Sequence, residues 1–234
     1  LCRVQAEQGD FKAVADTLMQ NRHTLQSSAE GRLVVAVTQS VVHTRAGQRN
    51  DAARAIYEAA ALRAEGARGD PRLMLDLAGA CMAGDRHDEA DSIVAEVARN
   101  AHDSESLLAK ARKLYDEAER ADAGASVLSS ATADVRRLNN DGVALAQKGD
   151  FRTAAETLLA ACEAAPYNPR IAMNAVWVIL KHVDKNGMDE PMIESARQHL
   201  AAAERQAPGH PRLAGLRRSM KEIEQRYGIR RQRA

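Results

Sequence analysis

Apolar residues recur along most of the chain at spacings of three and four, the period of a helix with one buried face. The pattern is clearest where Leu138, Gly142 and Leu145 form one stripe and Phe151, Ala154, Leu158 and Ala161 form the next. Between them stands Gly149-Asp150, where glycine stops one helix and aspartate caps the following one. Pro166 ends the second stripe, and Pro169 opens a further helix at its first turn. Gly142, Ala154 and Ala161 are small where two antiparallel helices approach. Leu145, Phe151 and Leu158 fill the space between those helices. One such pair cannot bury both of its faces, so it must stack on neighbours.

The same reading predicts helices along the rest of the chain. Residues 1–8 read as the end of one helix and 11–26 as its partner. Residues 29–46 and 51–64 form a second pair, and 71–83 and 88–100 a third, after a glycine-rich link at 65–70. Residues 104–121 form a further helix with Ser104 as its cap. From Gly124 to Lys148 only Gly142 interrupts the pattern, so one helix there either runs on into the next or joins it through a minimal turn. Residues 169–183 and 192–206 form the last pair, separated by an insertion at 184–191. Residues 211–227 carry one apolar stripe, Leu213, Leu216, Met220, Ile223 and Tyr227, with charges opposite. A helix of that kind caps the exposed face of a stack.

The turn motif is repeated. Gly9-Asp-Phe-Lys-Ala-Val-Ala-Asp-Thr-Leu-Met19 matches Gly149-Asp-Phe-Arg-Thr-Ala-Ala-Glu-Thr-Leu-Leu159, about four units of 35 residues later. Weaker copies begin at Gly47 and Gly84. The unit from 136 to 168 resembles the tetratricopeptide repeat, a helix–turn–helix of about 34 residues. It departs from that pattern at Asp141, where the family usually has an apolar residue. The resemblance implies an all-α, right-handed superhelix of antiparallel helix pairs over the single span 1–234. Its repeats would fall at about 1–27, 28–66, 70–101, 103–135 (irregular), 136–168 and 169–209, with a capping helix at 211–227.

A second, weaker resemblance rests on residues 138–150 and 169–180. These are similar to the C-terminal helical region of bacterial response regulators that join a receiver domain to such repeats. It implies an output region in signal transduction, with any phospho-acceptor aspartate outside this chain. The opening residue, Leu1 rather than methionine, agrees with a segment upstream.

Composition narrows the classes. About a fifth of the chain is alanine, the strongest helix former, and aromatics make up only 3%. Strands favour aromatic and β-branched residues, so a sandwich or barrel is excluded. Hydrophobic residues at 45% and a net charge of +1 exclude a disordered chain. Cys2, Cys81 and Cys162 lie far apart without CxxC spacing, which predicts a reducing, cytoplasmic setting. No apolar run approaches a membrane span of about 20 residues.

Polar residues form a series on the first helix of each pair. Two positions one turn apart read Val35 and Gln39, Arg72 and Asp76, Arg136 and Asn140, then Arg170 and Asn174. By resemblance, these helices line a concave groove in which asparagine bonds a peptide backbone and arginine meets acidic groups. Arg136/Asn140 and Arg170/Asn174 would be two rungs, with Lys181 extending the groove; Asn139 adjoins Asn140, and a shift of one residue would exchange which of the two faces the groove. The plainer reading is that these side chains cap helices or are solvated. Trp177, the only tryptophan, serves either as packed core, the commoner role, or as an anchor beside Asn174.

Catalytic signals are few. The histidines form no HxxxH or HExxH pair, and no phosphate-binding glycine loop or GxSxG is present. The sequence predicts no metal site, no cofactor and no enzyme. It predicts a protein-interaction scaffold for a peptide or protein partner, with no membrane association. Two other readings remain. Arg212, Arg217, Arg218, Lys221, Arg226, Arg230, Arg231 and Arg233 make the C-terminal segment basic, which suits a nucleic-acid module. Aromatic interleaving for base stacking is missing, so nucleic acid is the weaker partner. An open first helix would alternatively let two copies pair.

Overall fold

The computed structural model describes residue 5 and residues 8–228. Among these, all regular structure is helical, in twelve helices. The chain divides into two compact units, with the boundary between Ser129 and Ser130.

The first unit holds α1 (Phe11–Gln20), α2 (Arg22–Gln26), α3 (Ala29–Arg45), α4 (Arg49–Ala64), α5 (Pro71–Ala83), α6 (His87–Asn100) and α7 (Glu105–Glu117). Helix α3 packs on α4, and α5 on α6, as sequential pairs, and α3 also meets α5. Leu33, Val37, Ile56, Leu75, Leu77 and Val94 fill the space between them. The expected helix over 11–26 is broken at Asn21. There the Asn21 side-chain amide donates to the Thr17 carbonyl at 2.9 Å, competing with the helical ladder.

The repeated turn is built as expected at its two best copies. Gly9 and Gly149 take φ of 77° and 82°, a left-handed conformation that glycine enters without steric cost. Asp10 and Asp150 then accept from Ala13 N (3.0 Å) and Thr153 N (3.3 Å). At the copy beginning with Gly84 the roles move by one residue. Asp85 itself takes the positive φ, 57°, and Arg86 stands at the cap.

One helix, α8 (Ala121–Gln147), runs through the whole stretch where the sequence left two alternatives open. The preceding helix stops earlier than expected, at Glu117. Its stop is Glu119, at φ 55°, a position with no glycine to announce it. The turn is held from outside. Arg120 makes a two-pronged bond to Asp91 of α6, and the buried Tyr115 hydroxyl donates to the same carboxylate at 2.8 Å.

The second unit contains the rest of α8, then α9 (Phe151–Ala164), α10 (Pro169–Asn186), α11 (Glu190–Gln206) and α12 (Arg212–Arg226). Helix α10 is its centre: it packs on α9, α11 and α12, and Ile171, Met173, Ala175, Val176, Ile179 and Val183 are buried along it. The expected insertion at 184–191 is mostly helix. α10 continues to Asn186 and stops at Gly187, φ 95°, and Asp189 caps α11 by accepting from Met192 N. Leu213, Leu216, Met220 and Ile223 of α12 are buried, as the stripe predicts, while Tyr227, its expected last member, is exposed beyond the helix end. Arg197 of α11 ties it down through the buried carboxylate of Glu224, at 3.0 Å.

Candidate functional site

In each unit, side chains 34 to 38 residues apart in sequence meet across helices. In the first unit, Lys110 of α7 reaches back to α5. It pairs with the Asp76 carboxylate at 2.5 Å and donates to the Arg72 carbonyl at 3.5 Å. Arg72 itself is exposed at the start of α5, where its backbone N–H is capped by Asp70.

In the second unit the contact runs through three helices. The Asn174 side-chain amide of α10 donates to Asn139 Oδ1 of α8 at 3.0 Å. On its other side, Asn174 Oδ1 accepts from Arg212 of α12 at 3.0 Å. On α8 it is Asn139, the neighbour of the expected groove residue Asn140, that reaches Asn174. Asn140 is exposed, and its Oδ1 accepts from the Asn139 amide at a long 3.5 Å. The reason is the continuity of α8. Val135, Gly142 and Ala146 form its buried stripe. Asn139 lies four residues after Val135 and three before Gly142, on the edge of that stripe, while Asn140 is turned about 100° away.

Arg136 and Arg170 are exposed near this chain of amides, each on its own helix. The backbone N–H of Arg170 is capped by Asn168 at 2.9 Å. Lys181 is exposed two turns beyond Asn174 and lines a trough shared by α10 and α12, with Trp177. Trp177 is 41% exposed, against the commoner role of packed core. The reading of the sequence missed Lys110 and Arg212, and Asn139 enters it only as the residue that a shift of one would exchange for Asn140. Lys110 was findable, since it stands one repeat after Asp76. Arg212 had been counted only as part of the basic segment.

That segment is less free than its composition suggests. Arg212 is engaged with Asn174, Arg217 with Glu204 and Arg226 with Asp184. Arg226 holds the Asp184 carboxyl below the usual carboxylate range by hydrogen bond and charge. Arg230, Arg231 and Arg233 lie outside the described residues, as does most of the first helix that was expected to pair with a second copy.

Two thiols line the core. Cys81 is pushed up to about 11, first by burial and then by the Glu89 carboxylate beside it; burial takes Cys162 up to about 12. Near neutral pH Cys81 therefore stays a protonated, unreactive thiol. In a Cys2→Ala chain, both thiols should react with iodoacetamide only after denaturation. Fast labelling of either in the native chain, read by mass spectrometry, would contradict this.

Among the described residues, no group of three or more His, Cys, Asp and Glu side chains is placed to hold a metal ion. No described helix is long and apolar enough to cross a membrane. No family model, curated protein or solved structure matches the chain.

Proposed function

We propose that this chain is a non-catalytic interaction scaffold, built from stacked helix pairs of tetratricopeptide type, that binds a peptide or protein partner on the face of its first-of-pair helices. The observation that carries the reading is the recurrence of cross-helix polar contacts at repeat spacing. Lys110 and Asp76 are 34 residues apart, Asn174 and Asn139 are 35 apart, and Arg212 and Asn174 are 38 apart. Such contacts line up side chains from neighbouring helices on one surface of each unit. Amides there offer both a donor and an acceptor to a peptide backbone, and arginine offers a fork for a carboxylate. A role as the output region of a signalling protein rests on the sequence resemblance alone and remains part of the same proposal.

The test is affinity capture followed by competition. A partner captured by the wild-type chain should bind the doubly substituted Asn139→Ala, Asn174→Ala chain about tenfold more weakly. The helical circular-dichroism signal should stay unchanged, because the lost bonds contribute only about 1 kcal/mol each. Equal affinity of the two chains would remove the amides from the binding surface.

A further inference from the structure

At the end of α10, His182 and Asp189 converge on one asparagine–glycine step. Asn186-Gly187 is the only such step in the chain. Asn186 is the exposed last residue of α10, and Gly187 leaves the helix with φ 95°. Both protons of the Asn186 amide are taken up by His182, one turn back. Asn186 Nδ2 stands 3.1 Å from the ring's Nδ1 and 3.1 Å from the His182 carbonyl oxygen. An amide nitrogen only donates, so Nδ1 accepts and Nε2 carries the ring proton. Nε2 faces Asp189 Oδ2 at 3.8 Å. The His182 side chain is only 8% exposed, which fixes the ring between the two. Asp189 caps α11 with its other oxygen, so Oδ2 is left to face the ring.

An asparagine followed by glycine is open to attack by the backbone on its own side chain, because no Cβ hinders the glycine nitrogen. Nothing lies within 4 Å of the place a Gly187 Cβ would occupy, so ring closure and water both have room. One backbone bond restrains the attacking nitrogen, from Gly187 N to the Val183 carbonyl at 3.1 Å. It belongs to the last turn of the helix, the part that frays first. The nitrogen that must leave is the one bonded to His182 Nδ1. An imidazole gives and takes protons near neutral pH, and a positioned acid or base speeds a reaction by about 10²–10⁴-fold.

We propose that Asn186-Gly187 is a self-modification site, at which His182 assists the conversion of Asn186 to aspartate and isoaspartate. Gly187 N bonds to Asn186 Cγ and gives its proton to water. In the adduct Nδ2 is an amine, and it takes a proton from Nδ1 of the charged His182 ring, whose charge Asp189 favours. The Cγ–Nδ2 bond then breaks, ammonia leaves, and the ring regains a proton from water. Water opens the cyclic imide, at Cγ to give aspartate or at the Asn186 backbone carbonyl to give isoaspartate. The net change consumes one water and releases one ammonia. The product replaces two donors to His182 by a carboxylate at the C-terminal end of α10, where negative charge is unfavourable. Isoaspartate also adds a methylene to the backbone between α10 and α11. Conversion thus loosens the end of the helix at the centre of the second unit.

The test incubates the full chain near neutral pH and follows position 186 by peptide mass spectrometry, which reads the exchange of amide for acid. The native wild-type chain should accumulate aspartate and isoaspartate there. His182→Gln keeps a polar side chain but supplies no acid. It should slow conversion in the native chain roughly tenfold and leave it unchanged in urea, where ring and amide are no longer held together. Should His182→Gln lose the helical circular-dichroism signal, Asp189→Asn takes its place. Asparagine keeps the α11 cap, and slowing of about threefold is expected from the lost carboxylate. A wild-type chain that converts in urea but not in the native state overturns the proposal. So does native conversion that the folded variant does not slow, because the sequence step alone then accounts for it. Either failure leaves the scaffold reading untouched.

Discussion

Asp91→Ala lowers the stability of the first unit by about 3 kcal/mol. A single carboxylate there serves two partners. It accepts from the Tyr115 hydroxyl at 2.8 Å and from both terminal nitrogens of Arg120 at 3.0 Å each. Tyr115 has no exposed surface, so the substitution strands a buried hydroxyl as well as removing an ion pair. It also releases the turn at Glu119, whose left-handed backbone costs about 1 kcal/mol and is held from outside the turn. Burial by itself would raise the Asp91 pKa, but bonds from Arg120 and Tyr115 outweigh it and leave the group below its ordinary value. The sign of the pH dependence follows. A group depressed in the folded state contributes fully above the ordinary carboxylate pKa and loses that contribution as pH falls through the folded value. The stability gap between wild type and Asp91→Ala should therefore narrow in acid. Urea unfolding across an acidic pH series measures it, and a gap that widens on acidification, or stays under about 1 kcal/mol throughout, contradicts the assignment.

Two glycine substitutions in helix interiors should act in opposite directions. Removing a mid-helix glycine ordinarily stabilises by about 1 kcal/mol. Gly215 of α12 has nothing within 4 Å of the place its Cβ would occupy, so Gly215→Ala should show that gain. Gly142 lies within α8, and a Cβ there would stand 2.6 Å from Leu158 Cγ and 3.3 Å from the Ala154 carbonyl oxygen. Leu158 is fully buried, so it has no room to retreat. Gly142→Ala should destabilise by about 1 to 2 kcal/mol, the overpacking cost less the propensity gain. Equal signs for the two variants in thermal unfolding would show that Gly142 is not a close-packing site.

Much of the local structure was legible because its signals are local. The Gly-Asp turns at 9–10 and 149–150, the prolines at the start of α5 and α10 and the apolar stripe of α12 lie within a few residues of the conformations they dictate. The misreadings share one cause. The stop at Glu119 depends on Asp91, 28 residues upstream by its number, which no short window contains. The break at Asn21 turned on a side-chain amide competing for the Thr17 carbonyl, a choice that helical propensity alone does not weigh.

The candidate site was half legible. Residue types and spacing led to Asp76 and Asn174, which do stand at cross-helix contacts, and on α8 the contact is made by Asn139, the neighbour of Asn140. Repeat spacing survives small changes in helix length, whereas the direction of a side chain changes by about 100° per residue. Alanine richness and period told from the sequence alone that this protein is helical, where most of its turns fall and which faces are apolar. Only the tertiary structure decided that α8 is continuous, which asparagine reaches Asn174, and that Trp177 borders an open trough. Helical periodicity is set by bonds four residues apart, while the last two of those outcomes depend on how helices 35 or more residues apart in sequence come to rest against one another.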